Sequence, residues 1–378
     1  MIYLDNNATT PVDQRVREAM IPFLGEKFGN PSSAHAAGRA ARAALEQARG
    51  QVASLLGASD ESVVFTSGGT ESINTAIRGA LAAQPGKRHL VTSAVEHSAT
   101  RNLCAQLERE GCEVTWLPVD AGGCIDLDAY RLSLRSDTAL VTLVWANNET
   151  GVIFPIADMA RMADERHIAF HTDAVQAAGK VPVDLSAVPA HLLSISAHKF
   201  HGPKGTGALF VRAGMGLPSI LLGGAQENGR RAGTENVPGI VGLAAAAELA
   251  QAAMASEMPR VADLRNYFEA GLRERFPTVL FHGDPTHRLP NTSNFALPGM
   301  AAADLLAGLE RLGVACSVGS ACASGSPHAS HVLRAMGISD GEAESSLRFS
   351  FSRTNTREEV AAALEALAAA AGRLGMGG

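Results

Sequence analysis

The chain has 378 residues, 46% of them apolar and 19% charged, with a formal charge of −6 at pH 7. This is the composition of a folded globular protein with room for two domains, and its negative balance excludes a broad basic field for nucleic acid. The five cysteines (104, 112, 124, 316 and 322) are odd in number and lack CxxC or Cys/His zinc spacing, which points to a reducing cytoplasm rather than a disulfide framework.

The opening "MIYLDNNATTPVD" carries Asp5 early and lacks the basic-then-apolar order of a signal peptide. From residue 62 onward, short apolar runs alternate with helical stretches. Strands are expected at 62–67, 88–94, 112–119, 138–146, 168–174, 192–197 and 206–211, with helices near 70–83, 98–110 and 155–166. The alternation predicts an α/β fold with a mostly parallel seven-stranded sheet covered on both faces. From about residue 238 a long alanine-rich helix leads to strand signals at 292–298, 313–318 and 346–352, the pattern of a smaller α+β domain. The expected division is a large domain over 15–255 and a small one formed by 1–14 and 256–378. "VPGIVGLAAAAELAQAAMA" is the run nearest to a membrane span, but it is alanine-rich and contains Glu248, so no membrane partner is expected.

In open α/β sheets, ligands collect beyond the carboxyl ends of the strands, and the polar residues there carry the chemistry. "VVFTSGGTES" runs from a strand through Gly68, Gly69 and Thr70 into a helix, offering backbone N–H groups and a hydroxyl to a phosphate. A glycine turn with a threonine N-cap fits the same letters. No GxxxxGK[ST] or GxGxxG loop is present. Asp173 ends the strand in "IAFHTDAVQ", where a carboxylate needs a cation or several donors unless it is a helix cap. Lys199 follows "SISA", flanked by Ser196 and His198, as a candidate Schiff-base amine or else an exposed loop lysine. His97 follows a fourth strand, placed to stack on a ring, to move a proton, or to cap a helix. A phosphate seat, a buried carboxylate and a lysine on strand ends are together the parts that hold pyridoxal phosphate.

With "YLDNNATTPV", "FGNPSSAHAAGR", "TSGGTES", "VEHSA", "NNETG", "HTDAVQAAGK", "SISAHKFHGPKGTGALFV", "RAGTEN", "GSACASGS" and "SLRFSFSR" in view, the sequence resembles a cysteine desulfurase. These belong to the class V aminotransferase group of the fold-type I pyridoxal-phosphate enzymes. The resemblance implies that Lys199 binds the cofactor covalently, Asp173 contacts its pyridinium nitrogen, and His97 stacks on the ring and shuttles protons. It assigns the phosphate to Gly69, Thr70, Ser196 and His198, and ring or substrate contacts to Asn148 and Gln176. Thr234 would reach the phosphate of a partner subunit in a homodimer, and Arg348 would clamp the substrate carboxylate. In "SLRFSFS" the alternation does put Arg348 on the opposite face from Leu347, Phe349 and Phe351.

Cys322 sits in "VGSACASGS" among small, uncharged residues, a setting that suits a reactive thiol on a mobile carrier or a tight turn against the core. In the resemblance it is the nucleophile: it takes sulfur from L-cysteine as a persulfide, releases L-alanine, and passes the sulfur to an iron–sulfur scaffold or other sulfur-acceptor protein. Cys316, within the apolar "GVACSV", reads as structural. No resident metal ligand is assigned, and a transient iron–sulfur contact at Cys322 stays open. The segment after Cys322, "ASGSPHAS", departs from the acidic, proline-containing version usual in the family, and the chain stops sooner than housekeeping members do. Rival readings are a selenocysteine lyase or aminotransferase on the same scaffold, and a cofactor-free sulfur carrier.

Overall fold

The structure is a computed structural model that describes residues 1–318 and 330–375; Cys322 lies outside the described residues. The first elements are β1 (Ile2–Tyr3), α1 (Gln14–Leu24), α2 (Ala36–Leu56), β2 (Val63–Thr66), α3 (Gly69–Ala82), β3 (His89–Ser93), α4 (Ser98–Arg109) and β4 (Glu113–Leu117). There follow α5 (Leu127–Ser133), β5 (Thr138–Val144), α6 (Ile156–Asp164), β6 (Ala169–Asp173), β7 (Leu192–Ser196) and β8 (Gly207–Val211). Seven of these strands form one sheet in the order β2-β8-β7-β6-β5-β3-β4. The run from β7 to β4 is parallel, and β8 pairs antiparallel with both β7 and β2. Every residue of β3, β5 and β7 is buried, which is why these segments read as unbroken apolar or small-residue runs with helices on both faces.

The chain continues through α7 (Val237–Arg275), β9 (Leu280–Phe281), β10 (Thr292–Ala296), α8 (Ala302–Arg311), β11 (Val314–Ala315) and β12 (Ser317–Val318). It closes with α9 (His331–Ala335), α10 (Asp340–Glu344), β13 (Ser346–Ser350) and α11 (Arg357–Gly375). A four-stranded antiparallel sheet has the order β12-β13-β10-β9, and β1 pairs in parallel with β11.

Two apolar cores draw on α7. Ala250 and Met254 of α7 pack in the first core, whereas Met258 and Val261 pack in the second, so the changeover falls within one helical turn. Among the described residues α7 is the helix long and apolar enough to cross a membrane, but both cores draw on it. The second core centres on Phe268, which stacks on Phe349 at 4.6 Å and meets Phe295 and Phe351 edge-on or tilted. That packing fixes the register of β13 and turns Arg348 away from the aromatic cluster.

Candidate active site

Parallel strands deliver their carboxyl ends to one edge of the sheet, and the sequence places a polar residue at or beyond the end of four of the five. His97 follows β3, Asn148 follows β5, Asp173 ends β6, Ser196 ends β7, and Lys199 lies in the 3₁₀ turn Ala197–Lys199 directly after it. A cleft of ≈ 810 Å³ opens there, lined by every expected site residue except Thr234 and the undescribed Cys322. Thr234 is exposed and lines a separate depression with Ser67 and Gly205, which also border the start of α3.

The start of α3 is shaped by its two glycines and lacks a side-chain cap. Gly68 has φ 147° and ψ −177°, a region open essentially to glycine, and no side chain caps the helix. A Cβ on Gly69 would come within 2.8 Å of Val175 Cγ2, so only glycine lets the backbone lie this close to the β6 end. Thr70 is the second helical residue and not the N-cap, so the capping alternative fails. The uncapped first turn leaves N–H groups and a hydroxyl for an anion.

Asp173 is buried and accepts the Val175 N–H at Oδ1 (3.0 Å), an Asx turn rather than a helix cap. Burial pushes its carboxyl above the ordinary range, while His97 pulls it back, followed by the Val175 N–H and Lys199. A carboxylate held out of water this way favours a cationic partner such as a protonated ring nitrogen. His97 does cap α4, its Nδ1 accepting the Ala99 N–H at 3.1 Å, yet it also lines the cleft. The cap fixes Nδ1 as the acceptor, which leaves Nε2 to carry a proton. Burial pushes His198 down to about 4, so its imidazole is neutral near pH 7, with Nδ1 at 3.2 Å from the Thr9 hydroxyl.

Lys199 Nζ donates to the carbonyls of Asn7 (2.6 Å) and Ala8 (2.8 Å). Asn7 is a hub that sequence reasoning did not single out. Its carbonyl also accepts from Gln176 Nε2 (2.9 Å), and its side chain meets Thr292 Oγ1 (2.9 Å), Asn291 Nδ2 (3.0 Å) and the Asn148 carbonyl (3.2 Å). Lys180 Nζ lies behind it, buried, on Gln176 Oε1 (2.6 Å); burial, then Lys199 and Arg348, hold its pKa well below the usual lysine value. The "YLDNNATTPV" segment was the available signal for Asn7, but its partners lie far along the chain.

Arg348 is fully buried, with Nη2 on Asp5 Oδ1 (2.7 Å) and Nη1 on the Asn148 carbonyl (2.9 Å). Two further acids were not anticipated. Glu96 is buried and accepts from Ser93 Oγ (2.6 Å) and the Val144 N–H (3.0 Å). Glu149 accepts from Ser330 Oγ at 2.5 Å. Cys316 is buried as expected of a structural thiol, and burial pushes its pKa up. Among the described residues no group of three His, Cys, Asp or Glu is arranged to hold a metal ion.

Residues 2–363 match the aminotransferase class-V family, and the chain belongs to that family. It is 50% identical to a cysteine desulfurase of Sinorhizobium fredii over 99% of this chain and 97% of that one. It is also 50% identical to the cysteine desulfurase NifS of Azotobacter vinelandii, over 95% and 90% of the two chains. Within the family it belongs with the cysteine desulfurases. Among solved structures, a NifS-like protein superposes with TM-score 0.92 at 37% identity, covering 97% of this chain and 98% of that one. SspA, solved in complex with cysteine, gives 0.82 at 35% identity, covering 93% and 99%.

Proposed function

We propose that the cleft holds pyridoxal phosphate bound through Lys199, and that the enzyme moves the sulfur of L-cysteine onto Cys322. The observation that carries this reading is the convergence, in one cleft, of the uncapped glycine start of α3, the buried Asp173 and the Lys199 amine. When bound, the cofactor supplies an electron sink that weakens bonds of the substrate amino acid. Gly69, Thr70, Ser196 and His198 hold its phosphate, Asp173 faces its ring nitrogen, and Gln176 and Asn148 fix the ring and substrate.

Lys199 and His97 move protons, Lys199 at the substrate α-carbon and His97 at the substrate or the Cys322 thiol. Arg348 receives the substrate carboxylate. The Cys322 thiolate attacks the substrate sulfur: an S–S bond forms as the C–S bond breaks, and the carbon keeps the bonding pair and takes a proton. The products are L-alanine and an enzyme persulfide, which a sulfur-acceptor protein then collects for iron–sulfur or other sulfur transfer.

The working form is a homodimer in the cytoplasm. Thr234, exposed and outside its own cleft, is free to serve the partner's phosphate end, and Ile21, Leu24, Phe28 and Leu222 leave apolar surface to cover. The change of core along α7 supports a division near residue 255, with 15–255 as the cofactor domain and 1–14 with 256–378 as the smaller one. Borohydride reduction of the loaded enzyme followed by peptide mapping tests the site. The pyridoxyl group is expected on Lys199, and finding it on Lys180 or Lys204 overturns the assignment.

A further inference from the structure

Arg348 has five N–H donors, and its neighbours use them unevenly. Nη1 donates to the Asn148 carbonyl and Nη2 to Asp5 Oδ1, while Nε is buried with no hydrogen-bond partner. Nε–H and the adjoining Nη2–H form one edge of the guanidinium, the edge that grips a carboxylate two-pronged. Asp5 engages Nη2 and leaves Nε free of any acceptor. Nε is thus an orphaned buried donor on a residue that lines the cleft, and such a donor is costly until an acceptor arrives.

Asp5 is fixed independently of Arg348. Its backbone bridges to Ser350, two residues beyond Arg348 on the same chain segment, and its carbonyl accepts from the Ala8 N–H (3.0 Å) and the Tyr3 hydroxyl (3.1 Å). Its backbone is thereby held in place, and its carboxylate meets Arg348 Nη2 behind the cleft wall. Glu149, the other acid in the field of Arg348, is hydrogen-bonded by Ser330, and burial pushes it toward its neutral form. The negative charge in direct contact with Arg348 is that of Asp5.

We propose that Asp5 is a positioning residue with two opposed effects: it orients Arg348 for the substrate carboxylate, and its charge competes with that carboxylate and so limits affinity for the amino acid. This rests on Arg348 as the carboxylate site. Orientation needs only an acceptor at Oδ1, which asparagine retains. Competition needs the charge, which asparagine removes. A ligand gains only the surplus of its interaction over the one already present in the resting protein.

The test is equilibrium binding of L-alanine, which has the carboxylate but no sulfur to lose, by calorimetry on the cofactor-loaded dimer, together with thermal melts. Asp5→Asn is expected to bind alanine at least fivefold more tightly than the parent. Without ligand it is expected to melt lower, since a buried guanidinium has lost its counter-ion. Saturating alanine should then narrow that deficit, because the ligand replaces the missing charge. Asp5→Ser, which also removes the charge, should lower the ligand-free melting temperature and narrow with alanine in the same way. Alanine binding in Asp5→Asn that is unchanged or weaker overturns the proposal. Arg348→Ala separates the two levels: if it leaves alanine affinity intact, Arg348 is not the carboxylate site and both readings fall. In the Asp5→Asn/Arg348→Ala double variant the effect of Asp5 on affinity should vanish, and a surviving fivefold effect would overturn the competition with Arg348.

Discussion

Glu96→Gln should change how stability depends on pH. Glu96 is fully buried, with Oε1 receiving the Ser93 hydroxyl and the Val144 N–H and Oε2 without a partner. Burial raises its pKa from 4.5 to about 8, with the charge of Asp173 adding to the rise against the pull of the Ser93 and Val144 hydrogen bonds. The folded protein therefore keeps a proton that the unfolded chain releases above pH 4.5. The resulting stability is fully present below that pH and is lost as pH rises toward 8. At roughly 1.4 kcal/mol per pH unit, the loss across this window reaches about 5 kcal/mol. Glutamine keeps the shape and one acceptor but cannot ionise. Denaturant melts of the ligand-free protein at pH 5, 7 and 9 should show the parent losing stability steeply and Glu96→Gln losing about 4 kcal/mol less over the same range. Parallel curves for the two proteins would refute a proton held on Glu96.

Arg348→Ala should weaken the apparent affinity for cysteine by about 1.5–3 kcal/mol, the value of hydrogen bonds to a charged group, with a smaller effect on cofactor affinity; equal losses in both would mean the site itself has collapsed. Gly69→Ala puts a methyl 2.8 Å from Val175 Cγ2, so cofactor affinity measured by dialysis and absorbance should fall, while the core and its melting temperature change little. Cys322→Ser should stay coloured and bind cysteine yet form no persulfide, and Cys316→Ser should keep most activity; sulfane sulfur trapped at the normal rate on Cys322→Ser would rule out Cys322 as carrier. Glu227→Ala breaks the two-pronged pair with Arg49 (2.9 Å for each bond) and strands a buried guanidinium, which should cost about 3–5 kcal/mol by denaturant melts.

The sheet was legible because its central strands are buried on both faces and bounded by turn residues, so burial itself writes the pattern. Asp173 and Lys199 were legible for the converse reason: each is a charged residue at the end of such a run. His97 carried two readings, cap and cleft residue, and the structure realises both in one side chain. What stayed hidden was long-range. Asp5 meets Arg348 and Asn7 meets Lys199 across separations of 343 and 192 residues, and no local periodicity encodes either contact. Leu289, Val332 and Leu333 pack in the first core although they follow α7, because adjacency in space there overrides order along the chain.

The segment from Ile2 to Thr10 has a consequence for how the enzyme is made. Ile2 pairs with Val314, the Asn6 and Asn7 N–H groups reach the Ser350 carbonyl and hydroxyl, and Thr10 bonds to the His198 carbonyl. These residues leave the ribosome first, and some of their partners emerge only after more than 340 further residues. At a synthesis rate of roughly 5–20 residues per second, the Asp5 carboxylate and the Asn6 and Asn7 N–H groups wait on the order of tens of seconds for β13 to arrive. The strands of the seven-stranded sheet are all made before then, but the Asp5–Arg348 pair cannot form. On the function proposed above, the residues assigned to the cofactor up to Lys199 are made well before Arg348, the residue assigned to the substrate carboxylate, so the two halves of the site are completed at different moments of synthesis.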